Sequence, residues 1–132
     1  MSLKLVALSL LVLSAPLAAK PLTVRIGETW IFTVDHGQPA NARKALPTTA
    51  PARDEIKVSV QPMMGTTMTV TNNSGVDYGY RAVLVLPTGA AGPAKACAVP
   101  ANGRVAIENW PVRAAAVRLS DFKAAPAGSL CP

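Results

Sequence analysis

Glu55-Ile56-Lys57-Val58-Ser59-Val60-Gln61 and Thr66-Thr67-Met68-Thr69-Val70-Thr71 decide the fold class. In the first stretch Ile56, Val58 and Val60 alternate with Lys57, Ser59 and Gln61. In the second, Met68 and Val70 alternate with three threonines. Successive side chains of an extended chain point to opposite faces, so period-two alternation of β-branched and polar residues predicts strands. One face is apolar and the other carries hydroxyls, the pattern of an antiparallel sheet wet on one side.

The same pattern recurs on both sides of this pair. Residues 78–86 form the strongest strand signal, with Tyr80, Ala82, Leu84 and Leu86 on one side and Arg81, Val83 and Val85 on the other. Apolar residues on both sides near its end predict a central strand, closed by Pro87-Thr88-Gly89. Residues 104–110 set Val105 and Ile107 opposite Arg104, Ala106 and Glu108, and Pro111 stops the run. Residues 114–122 carry Val117 and Leu119. The Ala114-Ala115-Ala116 run favours helix, but Pro111 and Pro126 bracket it and strand is preferred.

Towards the N-terminus, Val24 and Ile26 precede the turn signal Gly27-Glu28, and Trp30, Phe32 and Val34 alternate with Ile31 and Thr33. These two runs read as a hairpin or a bent edge strand. Between residues 36 and 53 the pattern vanishes. Gly37, Pro39, Asn41, Pro47, Thr48, Thr49 and Pro51 interrupt it, which predicts a long proline-rich loop. Asn72-Asn73-Ser74-Gly75 is a turn signal, and its first three residues match the glycosylation sequon, a motif common by chance. Six or seven strands at intervals of about 10 residues predict an all-β domain: an immunoglobulin-like antiparallel β-sandwich, with a small barrel as the alternative.

Residues 1–19 read as a secretory signal peptide. Lys4 precedes an apolar run, and Ser14-Ala15-Pro16-Leu17-Ala18-Ala19 supplies a helix breaker and small residues, with cleavage expected after Ala19. The run is shorter than the roughly 20 residues a membrane span needs. A periplasmic or extracellular product, not membrane-spanning after cleavage, is therefore expected, with residues 20–132 forming one β domain. Loss of Lys4 lowers the formal charge from +6 to about +5. The basic residues are spread along the chain, which favours a role in solubility over nucleic-acid binding. Cys97 and Cys131 are the two cysteines, and in an oxidising compartment they are expected to pair.

Candidate chemistry is sparse. A nucleophilic triad needs a base, and His36 is the sole histidine; the mature serines Ser59, Ser74, Ser120 and Ser129 lie outside any nucleophile-elbow motif. No catalytic residue and no cofactor is assigned. Met63, Met64 and Met68 with His36 form a candidate soft-donor set for copper, against which alternation places Met68 in the core. Trp110 and Tyr78 are candidates for a partner surface, since exposed aromatics anchor proteins or sugars. Residues 35–53 are a second candidate contact surface. The resulting expectation is a non-enzymatic binding or structural protein of the cell envelope, its partner an envelope protein or glycan met through a surface or a strand edge. The alternatives are a periplasmic copper carrier and a small hydrolase or hydrolase inhibitor, the last using Leu46-Pro47-Thr48-Thr49 as a wedge.

Overall fold

The computed structural model describes residues 20–126 and Cys131; the leader and its cleavage point after Ala19 lie outside the described residues. Nine strands follow in order: β1 (Leu22–Arg25), β2 (Thr29–Asp35), β3 (Gln38–Lys44), β4 (Ile56–Gln61), β5 (Thr66–Asn72), β6 (Tyr78–Val85), β7 (Ala91–Ala94), β8 (Arg104–Trp110) and β9 (Ala116–Ala124). They form a four-stranded sheet, β1-β9-β6-β7, and a five-stranded sheet, β3-β2-β4-β5-β8. Every pairing is antiparallel. Both sheets keep open edges, so the architecture is a β-sandwich and not a barrel.

The alternation that marks β4 and β5 is the alternation of burial. Ile56, Val58, Val60, Met68 and Val70 are buried, and they pack with Val24, Ala82, Val117 and Leu119 of the opposite sheet in one apolar cluster. Each of the large side chains contributes about 1.5–3 kcal/mol by leaving water. At one end of the core Phe122 gathers three aromatic rings. Phe32 and Tyr78 meet it edge-on at 5.4 and 6.0 Å, and Tyr80 stacks at 5.4 Å.

Three expectations are corrected. The first two runs are not a hairpin: β1 pairs with β9 in one sheet while β2 pairs with β3 and β4 in the other. Gly27, at φ +84°, turns the chain between layers. Secondly, the strands among the described residues number nine, because two edge strands lack an apolar alternation. β7 is Ala-Gly-Pro-Ala, and β3 occupies much of the segment read as loop 36–53. The second half of that segment, after Lys44, is irregular. It is tied to the five-stranded sheet by the Lys57 ammonium donating to the Pro47 carbonyl and by Asn73 Nδ2 donating to the Pro51 carbonyl at 3.0 Å. Between Arg43 and Lys57 in the register, Ile31 is fully buried although it lies outside the central cluster. Thirdly, Trp110 is buried. Its indole N–H donates to the Lys95 carbonyl at 2.9 Å.

Cys97 and Cys131 form a disulfide across 34 positions of sequence. In the chain-entropy account a loop of this length stabilises by roughly 3–4 kcal/mol. The closure holds the chain's last described residue against the segment that crosses between sheets before β8.

Charge also ties β2 to its flanks. The Glu28 carboxylate accepts from Lys44 at 2.8 Å, from the Arg25 N–H at 2.9 Å and from Trp30 Nε1 at 3.3 Å. Chiefly through Lys44 and then the Arg25 amide, its pKa is held down to about 2 from the ordinary 4.5. A depressed folded pKa means the bonds stabilise above pH 4.5 and fade as pH falls through about 2. Glu28→Gln is accordingly expected to be less stable than the native chain at pH 7, with the gap closing between pH 4.5 and 2. Urea midpoints measured at intervals across that range check it; a gap independent of pH rejects the ionic account.

Candidate functional site

The structure disperses the candidate copper ligands. Met68 is fully buried between the sheets. Met63 and Met64 are exposed in the β4–β5 turn, Met64 at φ +47°. His36 sits in the β2–β3 turn and bonds Asp35 at 2.6 Å. The register pairs Phe32 with Ile56 and Thr29 with Ser59, so His36 and the two methionines project from opposite ends of the five-stranded sheet. At about 3.3 Å per residue the six steps of β2 alone span about 20 Å, and both turns lie beyond its ends. Neither do Trp110 and Tyr78 share a surface. Trp110 pairs with Thr66 at the start of β5, while Tyr78 follows the turn after β5 ends and is half-buried against Phe122.

Polar groups from the sequence reading are engaged in holding the fold. Ser59 Oγ shares a hydrogen bond with Thr29 at 2.8 Å, Ser74 bonds Asn72, and Ser120 lies 3.4 Å from Asp121; Ser129 lies outside the described residues. Glu55 forms a forked pair with Arg43, which lowers its pKa. Asp77 accepts from the Ala101 amide, Asp121 from Gln38, and Glu108 from the Cys97 amide at 2.7 Å. Tyr80 Oη is buried without a hydrogen-bond partner among the described residues, and burial, then the charge of Glu108, pushes its pKa up. In the segment after β3, Leu46 projects into solvent.

The four sheet edges differ in a way that sequence could not show. Open edges invite pairing with other chains, and folds blunt them with short strands, proline, bulges and charge. β1 and β7 are short, at four residues each, and Pro93 interrupts β7. In β3 stand Pro39, Arg43 and Lys44, with a register shift beside Asn41 at φ +53°. β8 has no proline, bulge or shortening between its ends, and its one internal charge, Glu108, is turned to the Cys97 amide. All seven residues pair with β5 without a shift, from Thr66 opposite Trp110 to Asn72 opposite Arg104. Proline waits outside it, at position 111.

Parity identifies the groups on that edge. The Gly103 N–H donates to the Asn72 carbonyl at 2.7 Å, and Asn73 donates to Glu55 at 3.0 Å. The former ends the β5–β8 ladder at the Asn72 and Arg104 pair, while the latter turns Asn73 towards β4. Hydrogen-bonded pairs alternate along an antiparallel ladder. Positions 104, 106, 108 and 110 therefore bond β5, and the N–H and C=O groups of Val105, Ile107 and Asn109 face away from it.

The same residues carry the apolar outer surface of β8. Ile107 is 67% and Val105 53% exposed. Asn109 anchors the neighbouring turn, its Nδ2 donating to Thr67 Oγ1 at 2.9 Å and to the Met63 carbonyl at 3.2 Å. That places exposed Met63 at the end of the Val105 and Ile107 row. An unblunted edge, two exposed β-branched side chains and a methionine-bearing turn thus lie together. Comparison of the chain with protein-family models, with curated proteins and with solved structures returned no match. No helix among the described residues is long and apolar enough to cross a membrane.

Proposed function

We propose that this chain is exported and serves outside the cytoplasm as a non-enzymatic binding or structural domain of the cell envelope, working through strand addition at β8. The carrying observation is the contrast among edges: β8 alone presents seven regular residues without proline, bulge or shortening, with Val105 and Ile107 exposed beside its outward backbone groups. In strand addition the main-chain bonds supply affinity, and alternate side chains supply selectivity. The leader-like residues 1–19 and the Cys97–Cys131 disulfide support the location.

Two measurements test this. Mass spectrometry of the product from the envelope fraction is expected to give the mass of residues 20–132 with both thiols oxidised. An intact Met1 in the cytoplasm overturns the location. Capture from envelope extract, compared between the native chain and Ile107→Lys, tests the edge: the lysine adds a charge to an exposed position without entering the core. Capture indifferent to this change moves the binding surface elsewhere.

A further inference from the structure

We infer that the occupant of the β8 edge is the β8 edge of a second copy, joined antiparallel about a two-fold axis through Ala106. The inference rests on the reading of β8 as a pairing edge and names its partner. A two-fold contact requires one surface to complement itself, and few strands satisfy that. With Ala106 opposite its own copy, Arg104 stands opposite Glu108 and Val105 opposite Ile107, and both matches occur twice. Val105 and Ile107 are the residues whose backbone groups face outward, so their pairing also closes the hydrogen-bonded ladder. Arg104, Ala106 and Glu108 then form non-hydrogen-bonded pairs, where Cα atoms approach to about 4.5 Å and side chains lie closest.

Charge selects this register over its neighbours. Centring on Glu108 sets two carboxylates face to face, which is unfavourable directly across a sheet. An axis through Ile107 leaves Glu108 opposite Ala106 and sets Val105 against Asn109, pairing no charge and only one apolar set. With the axis at Ala106, each charged side chain of the strand meets its opposite and each exposed apolar side chain meets another. Arg104 is exposed and has no carboxylate within ion-pair distance among the described residues. Glu108 gives Oε1 to the Cys97 amide, leaving Oε2 for the partner's guanidinium. The joined five-stranded sheets run continuously across both copies, with a strip of valine and isoleucine on the outer face.

Sedimentation equilibrium of the purified, oxidised chain, expressed with its own N-terminal segment, is expected to show a concentration-dependent dimer. Arg104→Glu sets two carboxylates opposite each other at both ends and is expected to weaken association roughly 10- to 100-fold. Mixing that variant with Glu108→Arg is expected to restore it, since each new charge then meets its opposite. Circular dichroism verifies that the variants stay folded. Ile107→Lys, at an exposed position, provides a second disruption independent of Glu108. A monomer at all attainable concentrations overturns the inference, as does a dimer indifferent to both Arg104→Glu and Ile107→Lys. A monomer whose capture of envelope material is lost in Ile107→Lys removes the second copy as occupant and leaves the pairing edge; a monomer whose capture is indifferent to Ile107→Lys removes the edge as well.

Discussion

Gly65→Ala is expected to destabilise the chain by about 3–5 kcal/mol, far more than a methyl group on a surface turn ordinarily costs. Gly65 holds φ at +94°, in the region where a Cβ is strained. There is also no room for one. A Cβ built at this position lies 2.3 Å from the Trp110 carbonyl oxygen and 2.9 Å from backbone atoms of Pro111 and Val112. That backbone is fixed. Thr66 Oγ1 donates to the Val112 carbonyl at 2.7 Å and accepts from the Ala114 N–H at 2.9 Å, and Thr66 is fully buried. Strain at φ and overpacking each cost on the order of 1–3 kcal/mol. Gly27→Ala separates the two: φ is +84° and nothing lies within 4 Å, so strain alone remains, at about 1 kcal/mol. Guanidinium midpoints for the two variants are the measurement. Equal losses at both sites would mean that the close approach of the Gly65 turn to Trp110 carries no energy.

How far the sequence reveals this fold depends on what each strand buries. β4 and β5 have one dry and one wet face, so their composition records their orientation. β3 and β7 bury little and are edges, where proline and glycine are tolerated; their segments read as loop because the evidence for a strand there lies in its neighbour. β1 was legible as a strand and its partner was not, since nothing in Leu22-Thr23-Val24-Arg25 distinguishes β9 from β2. Alternation in β8 was visible, but its sense reverses the usual rule. The apolar Val105 and Ile107 face outward, while Ala106, Glu108 and Trp110 face the opposite sheet in register with Val70, Met68 and Thr66. Trp110 therefore looked like a surface anchor and is core. The candidate edge escaped sequence reasoning for the same reason: an exposed valine and isoleucine are indistinguishable from buried ones until their partners are known.

Asn72 is where the sheet that carries β8 is locked at its far end, and its removal is the second large loss expected. The side chain is fully buried, and its hydrogen-bonding capacity is used throughout. Nδ2 donates to the Val76 carbonyl at 2.7 Å and to the Val99 carbonyl at 3.1 Å. Oδ1 accepts from the Ser74 N–H at 3.0 Å and from Ser74 Oγ at 2.6 Å. One amide thus closes the β5–β6 turn and holds the segment that crosses to β8, and a glycan on Nδ2 would displace both carbonyls. Asn72→Ala takes one bond from each of two carbonyls, which keep the Tyr78 N–H and Ser74 Oγ as donors, and leaves the Ser74 N–H buried without an acceptor. At about 1–3 kcal/mol for the unsatisfied amide and about 1 kcal/mol for each other lost bond, a total loss of about 4 kcal/mol is expected. Asn72→Asp discriminates between lost bonds and lost volume. It keeps the acceptor for Ser74 but turns a charge towards two carbonyls in a dry site, which raises its folded pKa above the unfolded value. The cost is then full at pH 7 and is relieved as pH falls, because the protonated acid again donates one bond. Guanidinium midpoints at pH 7 and pH 4 are expected to show Asn72→Asp recovering relative to Asn72→Ala on acidification. Identical behaviour of the two variants at both pH values excludes the network. Because Asn72 pairs directly with Arg104, the same variants are expected to loosen the end of β8 and weaken self-association before the sandwich as a whole unfolds.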